Sequence, residues 1–181
     1  EELQPDASAA YLHFTSNETI HGVEFGVTDA RPFPKSSAPL ICDMSSDFIW
    51  KPLDVSRFGL IYAGAQKNIG PAGFVVMVMR RDLLQRATRP MARILRYAEH
   101  AAAGSMLNTP NTWGWYITGL TLQWLKEQGG LAAMAERNRA KAETLYRAID
   151  GSGGYYRNPV DVAARSRMNV PFTLHDSALD A

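Results

Sequence analysis

Cysteine is almost absent. Cys42 is the only thiol in the 181 residues, so no disulfide can form within the chain and a disulfide-stapled scaffold is excluded. It sits in an apolar run and reads as a buried structural thiol. No apolar stretch approaches the roughly 18 residues of a membrane-spanning helix. No basic start followed by an apolar segment marks a secretion signal. Formal net charge is +1, which gives no global pull toward nucleic acid or an anionic membrane. His13, His21, His100 and His175 lack metal-ligand spacing, so no metal site is expected. Internal repeats and low-complexity tracts are also missing. What remains, 46% hydrophobic and 20% charged residues, describes an ordinary soluble globular chain, for which the cytoplasm is the expected place. The first residue is not methionine, and residues 176–181 stop as though a helix were starting, with Ser177 as its cap. Both ends are therefore expected to be truncations.

The apolar pattern changes period along the chain. Residues 10–14, 39–42, 58–63 and 74–79 are short apolar runs that predict strands. The last is too continuous for a half-exposed strand and predicts a buried one. Residues 29–39, with Pro32, Pro34 and Pro39, predict a loop. Asp82 is placed to cap a short helix through Leu83 and Leu84. From Thr112 the steps become three and four residues, and Trp113, Tyr116, Ile117, Leu120, Trp124 and Leu125 form one apolar face. Trp113, Trp115 and Trp124 are expected in the core. Gly129-Gly130 breaks this helix. A second runs from Leu131 to Ile149 with Met134, Leu145 and Ile149 inward and Glu136, Arg137, Arg139, Lys141 and Glu143 outward. Residues 165–174 alternate like a strand. Short buried strands followed by helices predict an α/β sheet, then a smaller α+β segment.

Two residues stand out chemically. Lys67 lies in Ala63-Gly64-Ala65-Gln66-Lys67-Asn68-Ile69-Gly70-Pro71-Ala72-Gly73, between two predicted buried strands. Glycines allow close backbone approach, and a desolvated lysine falls from its reference pKa of about 10.4 toward a neutral, nucleophilic amine. Such an amine suits Schiff-base chemistry with an aldehyde. A lysine capping a loop beside a glycine turn fits the same residues. A nucleotide P-loop does not, because the lysine precedes its glycines. Asp43 closes a predicted buried strand, where an unpaired carboxylate is costly. A carboxylate there could sit against a cofactor's pyridine nitrogen and keep it protonated, or could cap a turn through Ser45 and Ser46. Both residues fall at strand ends, where open α/β sheets collect ligands.

Six blocks, in order along the whole chain, resemble the phosphoserine aminotransferase family: Asn17-Glu18-Thr19-Ile20-His21-Gly22, Asp43-Met44-Ser45-Ser46, Pro52-Leu53-Asp54-Val55-Ser56-Arg57-Phe58-Gly59, residues 63–73, Gly104-Ser105-Met106-Leu107-Asn108-Thr109-Pro110, and Arg165-Ser166-Arg167-Met168-Asn169-Val170-Pro171-Phe172. The resemblance implies the fold-type I architecture of pyridoxal 5'-phosphate-dependent transferases, with a mainly parallel large-domain sheet and the start of a small α+β domain. Residues 1–126 would be the second half of the large domain and 127–181 the beginning of the small one. The implied activity is reversible amino transfer between glutamate and 3-phosphohydroxypyruvate, giving phosphoserine for serine biosynthesis and, in bacteria, serving pyridoxine biosynthesis.

By the same resemblance Lys67 carries the cofactor as a Schiff base, Asp43 holds the pyridine nitrogen protonated and Thr19 bonds the phenolic oxygen. Ser45 and Gln66 bind the cofactor phosphate, and Asn108 and Thr109 reach the phosphate in a second subunit, which implies a homodimer. The family's cofactor-stacking tryptophan and its substrate-clamping basic residues fall outside this sequence, so the isolated chain is expected to be inactive. Arg57, Arg165 and Arg167 are expected to be structural or surface charges. A related class V aminotransferase with another acceptor, such as glyoxylate, and a catalytically silent dimerisation module remain as alternatives.

Overall fold

The computed structural model describes residues 5–6, 8–27 and 32–179. β1 (Leu12–Thr15) runs into a small hairpin of β2 (Asn17–Glu18) and β3 (Val23–Glu24). β4 (Leu40–Asp43) and β5 (Leu60–Gly64) follow, then the single helical turn α1 (Ala65–Asn68) and β6 (Val75–Met79). α2 (Tyr97–Ala102), α3 (Thr112–Glu127) and α4 (Gly130–Asp150) come next. A last hairpin pairs β7 (Tyr156–Arg157) with β8 (Thr173–Leu174). The main sheet has the order β1-β4-β5-β6. β1, β4 and β5 are parallel, while β6 runs antiparallel to β5. Thr15, Asp43 and Tyr62 are in register across the three parallel strands, so their carboxyl ends form one rim.

One face of the sheet is closed by aromatic packing. Phe33, Leu40, Cys42, Met44, Phe58 and Ile61 are buried together, with Phe14, Phe25 and Phe48 against them. Phe33 and Phe58 meet edge to face with centroids 5.4 Å apart, a favoured aromatic geometry. Cys42 is fully buried, and burial pushes its thiol up. It is a structural thiol. A second cluster, Ala63, Ala65 and Ile69, seats α1 directly behind the end of β5.

Several expectations fail on burial rather than on element type. β6 forms as predicted, but Val75, Met77 and Val78 are exposed. α3 also forms, capped by Asn111, whose Oδ1 accepts from Gly114 N at 3.0 Å. Its buried residues are Gly114, Thr118 and Leu125, whereas Trp113 (67% exposed), Trp115, Tyr116, Leu120 and Trp124 face outward. Small residues explain the rotation. A Cβ on Gly70 would lie 2.2 Å from Thr118 Oγ1, so the glycine loop and the helix approach along their smallest side chains. On α4, Ile149 is buried and Met134 half-buried as expected, but Leu145 is exposed; the contact face is Asn138, Ala142, Tyr146 and Ile149.

Asp82 does not cap its turn. Its carboxylate accepts from Arg80 at 2.9 and 2.7 Å. Residues 165–174 are a strand only at Thr173–Leu174, with one isolated bridge from Arg165 to Val23. The cause is local: Ser166 Oγ accepts from the backbone N–H of Met168 and of Asn169, at 3.0 Å each, and a turn wins over the ladder. At the far end Asp176, not Ser177, caps the last turn, accepting from Ala178 N at 3.0 Å. Residues 1–4, 29–31 and 180–181, on which the truncation and part of the loop expectation fall, lie outside the described residues. Among the described residues no helix is long and apolar enough to cross a membrane, and no cluster of three potential metal ligands occurs.

Gly22 shows how tightly the loop at 165–171 presses on the β2–β3 hairpin. Its φ is +68°, and a Cβ there would stand 2.3 Å from Pro171 Cδ and 3.0 Å from Asn169 O. Gly22→Ala should therefore destabilise the fold by about 2 kcal/mol, from backbone strain and overpacking together. Urea unfolding of the variant against the parent checks this, and an unchanged midpoint would refute the close packing.

Candidate functional site

The rim at the carboxyl ends of β1, β4 and β5 gathers most of the singled-out residues. β4 ends on Asp43, and the chain then turns back, because Asp43 Oδ1 accepts from Ser45 N at 2.8 Å. Ser45 Oγ in turn accepts from Gly64 N at 3.0 Å, tying the end of β4 to the end of β5. Immediately after Gly64, α1 carries Gln66 and Lys67. A Cβ on Gly64 would lie 2.7 Å from Gln66 Oε1, so the glycine leaves room for that amide to fold over the strand end. Lys67 Nζ donates to Thr19 Oγ1 at 3.1 Å, across 48 residues of sequence. Thr19, Asp43, Ser45, Gln66 and Lys67 thus lie around one sheet edge.

The expected desolvation of Lys67 is not met. Lys67 and Gln66 are both exposed, because α1 is a single turn projecting from the rim. The amine's distinction here is its hydroxyl partner, not burial. Of the two roles considered for Asp43 from sequence, the structure displays the turn cap, through Ser45 N, and the residue is half-buried on the rim. Beside it on β5 is Tyr62, whose hydroxyl is pushed up by burial and by the Asp43 carboxylate. Tyr62 Oη lies 3.0 Å from His13 Nε2.

Asn108 and Thr109 are not part of this group. They are exposed and line a separate cavity of about 950 Å³ between β6, α2 and α3, with Phe74, Tyr97, His100 and Trp115. Arg165 pairs with Asp150 at 2.6 and 2.9 Å and lies over the Tyr146 ring, and Arg57 lies over Phe33. Both have partners within the fold.

Beneath the rim is a polar network that the sequence did not single out. Glu24 is fully buried. Its oxygens accept from Trp50 Nε1 (3.0 Å), Lys51 Nζ (3.5 Å), Ser166 Oγ (3.3 Å) and Arg167 N (2.9 Å). Burial pushes its carboxyl up, against the downward pull of these donors. Asp47 is buried too and accepts from Ser16 Oγ at 2.5 Å. Burial pushes its carboxyl up to about 7. Asn17, 1% exposed, donates from Nδ2 to Ser46 Oγ (2.8 Å) and to Asn169 Oδ1 (2.7 Å). These partners are 26 to 152 residues apart, and no local spacing announces them.

An exposed lysine, a hydroxyl on its amine and an anchored carboxylate thus share the carboxyl rim of the parallel strands. The chain belongs to the aminotransferase class-V family, whose profile matches residues 2–181. It is 58% identical over 173 residues to the phosphoserine aminotransferase of Xanthomonas euvesicatoria pv. vesicatoria (strain 85-10), covering 96% of this chain and 47% of that protein. The solved phosphoserine aminotransferase from Bacillus circulans subsp. alkalophilus superposes with a TM-score of 0.89 at 46% identity, over 98% of this chain and 48% of the other. The pyridoxal-phosphate-bound phosphoserine aminotransferase of Trichomonas vaginalis superposes at 0.87 and 40% identity, over 94% and 46%. The chain spans about half the length of the curated relatives it matches. Its mixed, mainly parallel sheet is that of the fold-type I enzymes.

Proposed function

We propose that this chain is part of a phosphoserine aminotransferase, which moves an amino group reversibly between glutamate and 3-phosphohydroxypyruvate. The observation that carries the reading is the Lys67 Nζ bond to Thr19 Oγ1, 3.1 Å, on the rim where Asp43 is held by Ser45 N. The donor set fits pyridoxal phosphate: a primary amine for its aldehyde, a carboxylate for its ring nitrogen, and the Thr19 and Ser45 hydroxyls and the Gln66 amide for its oxygens. When bound, that cofactor supplies an electron sink for the substrate's α-carbon. Lys67 would take a proton from that carbon and return one during transfer. Asp43 would keep a proton on the ring nitrogen, and Thr19 would fix the phenolic oxygen. Ser45 and Gln66 would hold the phosphate.

Asn108 and Thr109, on a different cavity, would serve the phosphate bound by a second copy of the chain, so the working unit is a homodimer. Residues 1–126 would belong to the large domain and 127–181 to the small one, the break falling near Gly129, whose φ is +94°. Serine biosynthesis, and pyridoxine biosynthesis in a bacterium, would be the use of this activity, in the cytoplasm.

Borohydride reduction of the full-length protein with pyridoxal phosphate, followed by peptide mapping, should place the cofactor on Lys67. A coupled assay with glutamate and 3-phosphohydroxypyruvate should show transfer. Label on another lysine sinks the site, and labelling without transfer to this acceptor sinks the substrate.

A further inference from the structure

We infer that Asn169 is a positioning residue for the cofactor, acting through Asn17 on both Thr19 and Ser45. The inference rests on the reading of Lys67 given above, but concerns residues that never touch the amine.

Asn17 is buried, and its side-chain amide spends its Nδ2 group on two acceptors, Ser46 Oγ and Asn169 Oδ1, while its Oδ1 has no partner. The amide is therefore oriented by its N–H bonds alone. Turning it over would set its oxygen against Asn169 Oδ1, acceptor to acceptor. Ser46 Oγ donates back to Asn17 O at 2.9 Å, so side chain and backbone of Asn17 are locked to the residue next to Ser45. Two residues beyond Asn17, Thr19 accepts from Lys67. One amide thus sets two neighbours of the rim: the hydroxyl on the lysine, and the serine that accepts from Gly64 N.

Asn169 is itself held by the turn at Ser166. Its N–H donates to Ser166 Oγ (3.0 Å), and Ser166 is fixed by Ser166 N to Gly22 O (2.8 Å), by Ser166 Oγ to Glu24 and by Tyr146 Oη to Ser166 O (2.8 Å). The Tyr146 bond reaches α4, so the loop at 166–169 connects that helix to the cofactor rim. Removing the Asn169 carbonyl leaves one Nδ2 proton of a buried amide without an acceptor, a loss that buried groups do not recover from water. Relaxation of Asn17 then moves Thr19 and Ser46 together.

The test uses the full-length protein and two readouts that do not require turnover: the dissociation constant of pyridoxal phosphate, and the circular dichroism of the bound cofactor's visible band. Asn169→Ala should weaken cofactor binding roughly 10-fold and reduce the band's asymmetry. Asn169→Asp, which keeps an acceptor oxygen for Asn17, should restore both to within about a factor of two. Asn158→Ala breaks a bond of similar length in the same region, 2.6 Å from Nδ2 to Pro171 O, without touching Asn17. It should leave both readouts near the parent's. Parent-like binding by Asn169→Ala overturns the inference. So does an equal loss in Asn158→Ala, or a failure of the aspartate to rescue. Lys67→Ala, run in parallel, should abolish the reducible adduct; if the adduct survives there, the functional reading fails, whatever Asn169 does.

Discussion

Asp43→Asn in the full-length protein should keep the fold and lower amino transfer by about 10²-fold or more. The fold survives because an asparagine oxygen can still accept from Ser45 N, the 2.8 Å bond that turns the chain after β4. Its strand neighbours Thr15 and Tyr62 pair with it through the backbone, which the change leaves in place. What is lost is the negative charge that would keep a proton on the cofactor's ring nitrogen, and a neutral amide has no substitute for it. Steady-state rates with saturating cofactor, beside urea unfolding of the cofactor-free protein, separate the two consequences. Turnover close to the parent's would remove Asp43 from the mechanism.

The buried carboxylate four residues on has the opposite character. Because burial holds Asp47 up to about 7 in the fold, against an ordinary carboxylate value near 3.9 in the unfolded chain, the folded state retains a proton that the unfolded state has released. Between those values the folded protein binds more protons, so stability falls as pH rises. At about 1.4 kcal/mol per unit, the fall between pH 4 and 7 should be on the order of 2–4 kcal/mol. Glu24, also raised by burial, contributes in the same sense. Asp54, Asp82 and Asp150, whose carboxyls are lowered, chiefly by side-chain bonds to Ser56, Arg80 and Arg165, act in the other direction but below the ordinary carboxylate range. Asp47→Asn cannot titrate, so its urea midpoints should lack most of this slope whatever its absolute stability. Parallel pH profiles for parent and variant would show that the Asp47 proton is not held by the fold.

Local pattern was enough to read the strands of the main sheet and the two long helices, but not the β2–β3 hairpin, α2 or β7. The strands at β1, β4, β5 and β6 and both long helices follow from apolar runs, three- and four-residue steps, and the Gly129-Gly130 break. The rim was legible as well, since Asp43 ends β4 and Lys67 lies in the turn of helix that follows β5. Burial was not. Periodicity shows that Trp113, Tyr116, Leu120 and Trp124 share a face, but not which face finds a neighbour; Gly70 meeting Thr118 decided that. The exposure of Lys67 depends on how far α1 projects, which a run of glycines does not specify. The network of Glu24, Asp47, Asn17 and Asn169 was illegible for a different reason. Each is a polar residue of a kind common at surfaces, and only partners far along the chain make it a buried one.

That distance in sequence has a temporal meaning. Asn17 and Asn169 are 152 residues apart, and a ribosome adding about 5–20 residues per second needs roughly 8–30 s to deliver the second after the first. During that interval β1, β4 and β5 can pair, while Asn17 and Glu24 face an unfilled place. The amine of Lys67 is made early in it. The nascent chain therefore has the Lys67 amine before it has Asn169, and the bond between Asn17 and Asn169 can close only after the strands that carry the rim have been made.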